Sequence, residues 1–355
     1  MNRTGSALPL ALLLVLIISL LAGSAFVLLG SERRVADQQE GQVDAYAIAR
    51  SAYDRFLANP VQYLPAFAPP AWTGPDSARI DMANGHAWVM VQRLRAPMGS
   101  DPAMYVVRSR GVRGRRMAPT LPFAERIFAQ YAQWQPGSLS APALWTSLSG
   151  MHKNGGSGTI SGVDACGMSA PVAGVAVPDV PGYVQGGGAS VPDGAPPILA
   201  LGTAAQAAAA VPVDWDAIVN GGALSPDVTI PGGAWPAFPA GAWPLIYVNQ
   251  ASEFSLPGDG RGLLVVRNGL SITGGHRWDG IILAGGAVNT NGSVRVQGAI
   301  ISGLNVTLGI SVGPSDIVNG PSVLVYDGCA VANAAARFAG LAPLRNAGTD
   351  NWPSY

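Results

Sequence analysis

Residues 262–279 read GLLVVRNGLSITGGHRWD, residues 280–297 read GIILAGGAVNTNGSVRVQ, and residues 298–315 read GAIISGLNVTLGISVGPS. The three stretches are equal in length, each opens on a glycine (Gly262, Gly280, Gly298), and their apolar residues fall in columns. Leu264, Ile282 and Ile300 form one column; Leu270, Val288 and Val306 a second; Ile272, Thr290 and Leu308 a third; Trp278, Val296 and Pro314 a weaker fourth. Within a unit, β-prone pieces alternate apolar and polar residues and are separated by Gly or Asn, which turn the chain. A β-solenoid needs this pattern, because each coil buries its column against the neighbouring coils and glycine makes the corners. The expectation is a short, single-stranded, right-handed β-helix-like domain with the three glycines at corners and the columns inside. A plain antiparallel meander with chance spacing is the alternative.

Polysaccharide-cleaving enzymes use β-solenoids, so the carboxylates matter. Glycoside hydrolysis needs two carboxyls roughly 5 to 10 Å apart. Asp259, Asp279 and Asp316 are the candidates, and none is in register with another: the place of Asp279 is taken in the next unit by Gln297. The chain carries no GxSxG elbow, no Walker A loop, no GxGxxG between a strand and a helix, and no HExxH. His276 and Trp278 read either as a sugar-stacking pair or as wall positions of one coil. His86, His152 and His276 lack metal-ligand spacing, and two cysteines do not make a standard structural zinc site. The expectation is no enzyme, no cofactor and no metal. Cys166 and Cys329 nearly flank the β-rich region; in an oxidising compartment they suit a disulfide, and two unpaired buried thiols are the alternative.

Composition narrows the class further. Of 355 residues only 12% are charged, against about 25% in an average soluble domain. Twenty-one basic and 21 acidic residues give a formal net charge of zero, and the basic residues are scattered, so there is no electrostatic footprint for nucleic acid.

The chain starts MNRTGSALPLALLLVLIISLLAGSAFVLLGSERR, uncharged and mostly apolar from Ser6 to Gly30. That is long enough to cross about 30 Å of hydrocarbon as a helix. A secretory signal cut after Ala25 and a permanent anchor both fit, although Arg33 and Arg34 after the span sit awkwardly with an N-in anchor. After the span, Ala45, Ala49, Ala52 and Phe56 recur at helical spacing until Asn59–Pro60 ends the pattern. Residues 61–79 read as a Pro- and aromatic-rich loop, HAWVMVQRLR (86–95) and AMYVVRSRGVRG (103–114) as strands, and PFAERIFAQYAQW (122–134) as a second amphipathic helix, with Phe123, Ile127, Tyr131 and Trp134 near three-to-four spacing. Arg108, Arg110, Arg113, Arg115 and Arg116 make this part locally basic: a solvated hairpin face, or a contact for anionic lipid or an acidic partner.

The short polar leader MNRTG, running straight into the apolar helix, resembles the class III leader of type IV pilins and type II secretion pseudopilins. The resemblance places prepilin peptidase cleavage between Gly5 and Ser6. Major pilins carry glutamate at mature position five, where this chain has Leu10; its loss is known in a subset of minor pilins and in the K-type pseudopilin of the filament tip. With ISGVDACG (160–167), DWDAIVNGG (214–222), GRGLLVVRNGLSITG (260–274) and GIILAGG (280–286), the whole is similar to PilX-like type IV pilus assembly proteins, which join such a helix to a large glycine-rich β domain. With the leader that the resemblance places at 1–5, the chain reads as a transmembrane and amphipathic helix at 6–58, a small α+β module at 59–137 suggested by the helix, hairpin and helix pattern, and a glycine-rich β domain at 138–355, where the composition turns to Gly, Ala, Pro, Ser and Thr, with its repeats at 262–315. The resemblance implies a structural subunit in the inner membrane, N-in with a periplasmic head. That subunit would enter a surface filament, act in assembly or priming or at the tip, and touch other pilins, the assembly machinery, prepilin peptidase and lipid. A membrane-anchored or secreted β-helix protein that binds or cleaves carbohydrate is the alternative.

Overall fold

In the computed structural model, which describes residues 7–99, 101–115, 118–179, 181–221, 224–317 and 320–351, the chain divides into two units, residues 1–134 with 341–355, and residues 135–340. Helix α1 (Ala7–Ala58) starts the first unit. From Leu12 to Glu40 every residue is exposed, and the apolar part reaches a mean hydropathy of 2.9 over an 18-residue window. A helix this long and apolar can cross a membrane. Its second half is amphipathic: Ala45, Ile48, Ala49, Ala52, Tyr53 and Phe56 are buried on one stripe. Proline at position 60 disfavours helical backbone at Asn59, which leaves the helix with φ −150° and caps a single turn, α2 (Pro60–Tyr63).

The buried stripe packs on an antiparallel sheet of β1 (Asp76–Met82), β2 (Gly85–Arg95), β3 (Met104–Arg115) and β4 (Ala118–Gln135), which the C-terminal strand Gly340–Asp350 extends beyond β4. Gly111 of β3 lies where α1 comes closest, since a Cβ there would fall on the backbone of Ala45 and Ala49. Two expectations are corrected. The segment 122–134 is a strand, not a helix: Ser109 pairs with Phe128 and Val107 with Gln130. Residues four apart share a face in a helix and in a strand alike, so the spacing of Phe123, Ile127 and Tyr131 fits both, and the free edge of β3 decides for the strand. Nor do the residues after 340 close the second domain, because they return to the first sheet.

In the second unit every described strand pairing is parallel. The chain forms β5 (Ala143–Ser147), β6 (Met151–Lys153), β7 (Thr159–Ser161), β8 (Ala173–Val177), β9 (Tyr183–Gln185) and β10 (Ile198–Ala200). It crosses through α3 (Ala204–Ala210) and α4 (Trp215–Val219). It then forms β11 (Val228–Ile230), β12 (Leu245–Val248), β13 (Phe254–Ser255), β14 (Gly260–Val266), β15 (Leu270–Gly274), β16 (Arg277–Ala284), β17 (Val288–Gly292), β18 (Arg295–Ser302), β19 (Ser315–Ile317) and β20 (Val323–Tyr326), and ends on α5 (Gly328–Ala335). One sheet has the order β10-β8-β5-β18-β16-β14-β12-β11, with β20 joining β18 to β7; another has the order β13-β15-β17-β19-β6-β9.

The repeat period is the register of these ladders. Leu264 pairs with Ile282 and Ile282 with Ile300, all three fully buried; Gly262, Gly280 and Gly298 pair likewise; Leu270 pairs with Val288 and Ile272 with Thr290. The third unit breaks the pattern. Val306 and Leu308, expected in the core columns, lie in a 3₁₀ turn (Leu304–Leu308) and are only partly buried. Thr290 pairs with Ile317 instead, across a longer excursion of chain than the repeat. Gly303 and Gly309, with φ of 77° and 76°, bracket the turn and carry the chain out of the sheet. Pro314 likewise leaves the fourth column, where Val296 pairs with Leu324.

Strand order reveals a seam. The run β5, β8, β10 and the run β11, β12, β14, β16, β18 are each built in chain order, and they meet where β18 pairs with β5. Three short parallel pairings close the joint: Ile300–Ser302 on Trp145–Ser147, Ser315–Ile317 on Met151–Lys153, and Val323–Val325 on Thr159–Ser161. Trp145 Nε1 donates to Ser302 Oγ at 3.0 Å across it.

One end of the stack is plugged. Gly260 pairs with Trp278 but has no side chain to continue the buried column; the Trp278 ring leans into that space and Phe238 packs beside it, its Cζ 3.0 Å from where a Cβ on Gly260 would stand. Trp235 packs 5.9 Å from Phe238 and 6.1 Å from Trp278. Phe238→Ala is therefore expected to destabilise the chain by about 2 kcal/mol through the cavity it leaves, and to shift tryptophan emission to the red as water reaches Trp278. A melt followed by fluorescence checks both.

Candidate functional site

The cysteines sit in two matching phrases, Asp164-Ala-Cys166 and Asp327-Gly-Cys329. The Cα atoms of Cys166 and Cys329 are 5.8 Å apart, within the range of a disulfide, and the two residues are bridged across 163 positions of sequence. The bridge ties the loop after β7 to α5, beside the β20–β7 pairing of the seam. Asp327 caps α5 by accepting the Ala330 N–H at 2.9 Å. Asp164, 8% exposed, accepts five hydrogen bonds: from the N–H groups of Gly328 (2.7 Å), Ser169 (2.8 Å), Met168 (2.9 Å) and Cys166 (3.1 Å) and from the Ser169 hydroxyl (2.8 Å). Burial alone would raise its pKa, but the bonds from Gly328, Ser169 and Cys166 outweigh it and hold the carboxyl below the ordinary range. The sulfurs and the Asp327 carboxylate lie within 4.8 Å of one another, yet sulfurs joined to each other are not thiolate ligands. The clasp fastens one run to the other.

A charged ladder lies on the face of β14, β16 and β18. Arg277 donates its backbone N–H to Asp259 at 2.9 Å, Nε to Asp279 at 2.8 Å, and an Nη to Gln297. Two carboxylates that are out of register thus meet on one arginine, whose guanidinium pKa is raised by the hydrogen bond to Asp279. His276 Nδ1 stands 3.7 Å from Asp259. Trp278 is fully buried and offers no face to a sugar. Asp316 is on the other sheet beside His152, at 3.3 Å. Lys153, the one lysine of the chain, is 1% exposed in a core column. It donates to the carbonyls of Gly155 (3.3 Å) and Ser157 (3.5 Å), and burial lowers its pKa.

In the first unit several arginines are matched to acids. Arg110 pairs with Glu125, Arg113 with Asp44 at 2.8 Å, and Arg126 with Asp350. A groove of about 860 Å³ runs beside α1, lined by Val35, Val43, Tyr46 and Phe123 and rimmed by Gln38 and Arg126. Gly5 and Ser6, the expected cleavage pair, lie outside the described residues, as does Arg116; Leu10 lies in α1.

Reading the sequence picks out the cysteines and the glycine column but passes over Asp164 and Asp327, although the repeated Asp-x-Cys is visible in it. It also misses the aromatic plug of residues 235–243. Comparison with known protein families, with characterised proteins and with solved structures finds no match to this chain.

Proposed function

We propose that the chain is a structural subunit of a type IV pilus or related pseudopilus, minor-pilin-like, anchored in the inner membrane by α1 with both units in the periplasm. The observation that carries this reading is the single helix α1. Its first half is apolar and uncovered, while its second half is buried on an antiparallel sheet by Ala45, Ala49, Ala52 and Phe56. A helix built so has one end for a membrane or a bundle of like helices and one end for a folded head. The groove beside Val35 and Val43 leaves room for a neighbouring helix. The parallel ladders with their repeating register are read here as the walls of a short solenoid, rigid and glycine-cornered, suited to display rather than catalysis. Leu10, in place of a carboxylate that would pair with a neighbour's amino terminus, suits a tip or initiating position, assembled by the pilus machinery after prepilin peptidase cleavage.

The mature amino terminus tests the route. Mass spectrometry of the membrane-extracted protein is expected to find it starting at Ser6. A start at Phe26 would mean a soluble export, and an intact leader would mean a plain anchor; either overturns the proposal. Deletion of the chain is expected to reduce surface filaments, and unchanged filament number and function would equally count against it.

A further inference from the structure

The last strand of the first unit ends on the rim of the groove beside α1. Gly348 lies beside Phe128 and Gln130, and the Asn351 N–H donates to the Ile127 carbonyl at 2.6 Å, so the strand runs down β4 toward Arg126 and Phe123. Asp350, held there by Arg126, is itself part of the groove wall. Asn351 has φ 59°, a left-handed conformation that asparagine tolerates, and it ends the strand at this point. Trp352, Pro353, Ser354 and Tyr355 follow, outside the described residues. The groove here is apolar and open: Val35, Val43 and Phe123 are 52%, 67% and 42% exposed. Its other walls include the uncharged Gln38, Gln39 and Gln42, and the buried Nε–H of Arg126 has no acceptor among the described residues.

We propose that residues 352–355 of the same chain dock along this groove, with the Trp352 ring against Val43 and Tyr46 and Tyr355 toward Val35. Reach agrees, since four extended residues span at most about 14 Å and Val35 to Val43 is about 12 Å along the helix. So does the chemistry. The segment brings two aromatic rings and no charged side chain to uncharged walls. Pro353 favours extended backbone at Trp352, which lowers the entropy lost on docking, and a carbonyl of the segment supplies the acceptor that Arg126 Nε lacks. Tethering selects this occupant over a free one. A segment joined to the rim meets the groove at an effective concentration in the millimolar range, and it loses none of the translational freedom that a second copy or another protein would lose. The docking does not rest on the filament reading; on that reading, a neighbouring helix would have to displace the segment to enter the groove.

The test uses the full chain with a benzophenone amino acid at Gln39, in the groove wall, or, as a control, at Leu94, which is 50% exposed and lies in β2. After photolysis and digestion of the product of single-chain mass, mass spectrometry is expected to find the probe in place of Gln39 joined to residues 352–355, with roughly five-fold or more the yield from the control site. Equal yields at the two sites, or a product at Gln39 that holds a second copy, another protein or lipid in place of these residues, would overturn the proposal. Trp352→Ser is expected to lower the yield at Gln39 roughly five-fold or more, and Ser354→Ala to leave it unchanged. Both variants should keep the parent's resistance to protease in the first unit, because neither position belongs to the core between α1 and its sheet. Loss of the joined product in both variants, or in neither, would likewise refute it.

Discussion

Gly298→Ala is expected to destabilise the second unit by about 3 kcal/mol or more, lowering its unfolding temperature by roughly 10 °C for a unit of this size. Gly298 has φ +143°, a backbone conformation that L side chains rarely adopt, and a Cβ on it would fall on the carbonyl oxygen of Gly280 in the next strand. The same relation repeats along the column: Gly280, φ +125°, faces the carbonyl of Gly262, and Gly262, φ +111°, that of Pro244. The bend at each glycine therefore brings successive strands closer than any side chain allows. On the other face of this bend Ala334 of α5 lies 3.2 Å from where a Cβ on Gly280 would stand. Relief by movement is blocked, because Val296 and Ile300 on either side of Gly298 are fully buried. Gly313→Ala is the control: nothing lies within 4 Å of its Cβ position, and it is expected to leave the melt within about 0.5 kcal/mol of the parent. Equal melts for the two variants would mean that the column does not constrain the fold.

That column was legible because its information is local and periodic. Gly262, Gly280 and Gly298 stand one repeat apart, and the ladder joins residues one repeat apart. Where register stops being a fixed offset, the sequence stops showing it. Ile300 pairs with Trp145, far earlier in the chain, and nothing in either segment announces the other. The third repeat misled for a related reason: Val306 and Leu308 keep the spacing of Val288 and Thr290, but spacing does not reveal that the Gly303 turn removes them from the sheet. In β4 the failure was one of period, since four-residue spacing belongs to a helix and to a strand. The long apolar helix and its buried stripe were legible at once, because both depend on one element alone. The clasp was half legible: the cysteines suggested a bridge, while the role of Asp164 rests on N–H groups supplied from both ends of the joint.

Asp164→Asn is expected to weaken the folded chain by about 2 to 4 kcal/mol at neutral pH, because it replaces a carboxylate that accepts five hydrogen bonds with an amide offering one acceptor oxygen and an unmatched donor. The pH dependence has a definite sign. The folded-state pKa of Asp164 is depressed below its unfolded value. Its contribution is thus fully present above the ordinary carboxylate pKa of about 3.9 and is lost as pH falls through that value toward the folded one. The gap in stability between parent and Asp164→Asn should therefore be constant from about pH 7 to pH 5 and narrow below about pH 4. Cys166→Ser removes the bridge over 163 positions and is expected to lower stability by about 2 to 5 kcal/mol on its own. Because the bridge and the Asp164–Gly328 bond fasten the same loop to the same helix start, losing either frees the joint that the other needs. The double variant is accordingly expected to lose less than the sum of the two single losses. Denaturant titrations of the four proteins at pH 7 and pH 3.5 measure both effects; strict additivity, or a gap that widens in acid, would show that Asp164 does not act as part of the clasp.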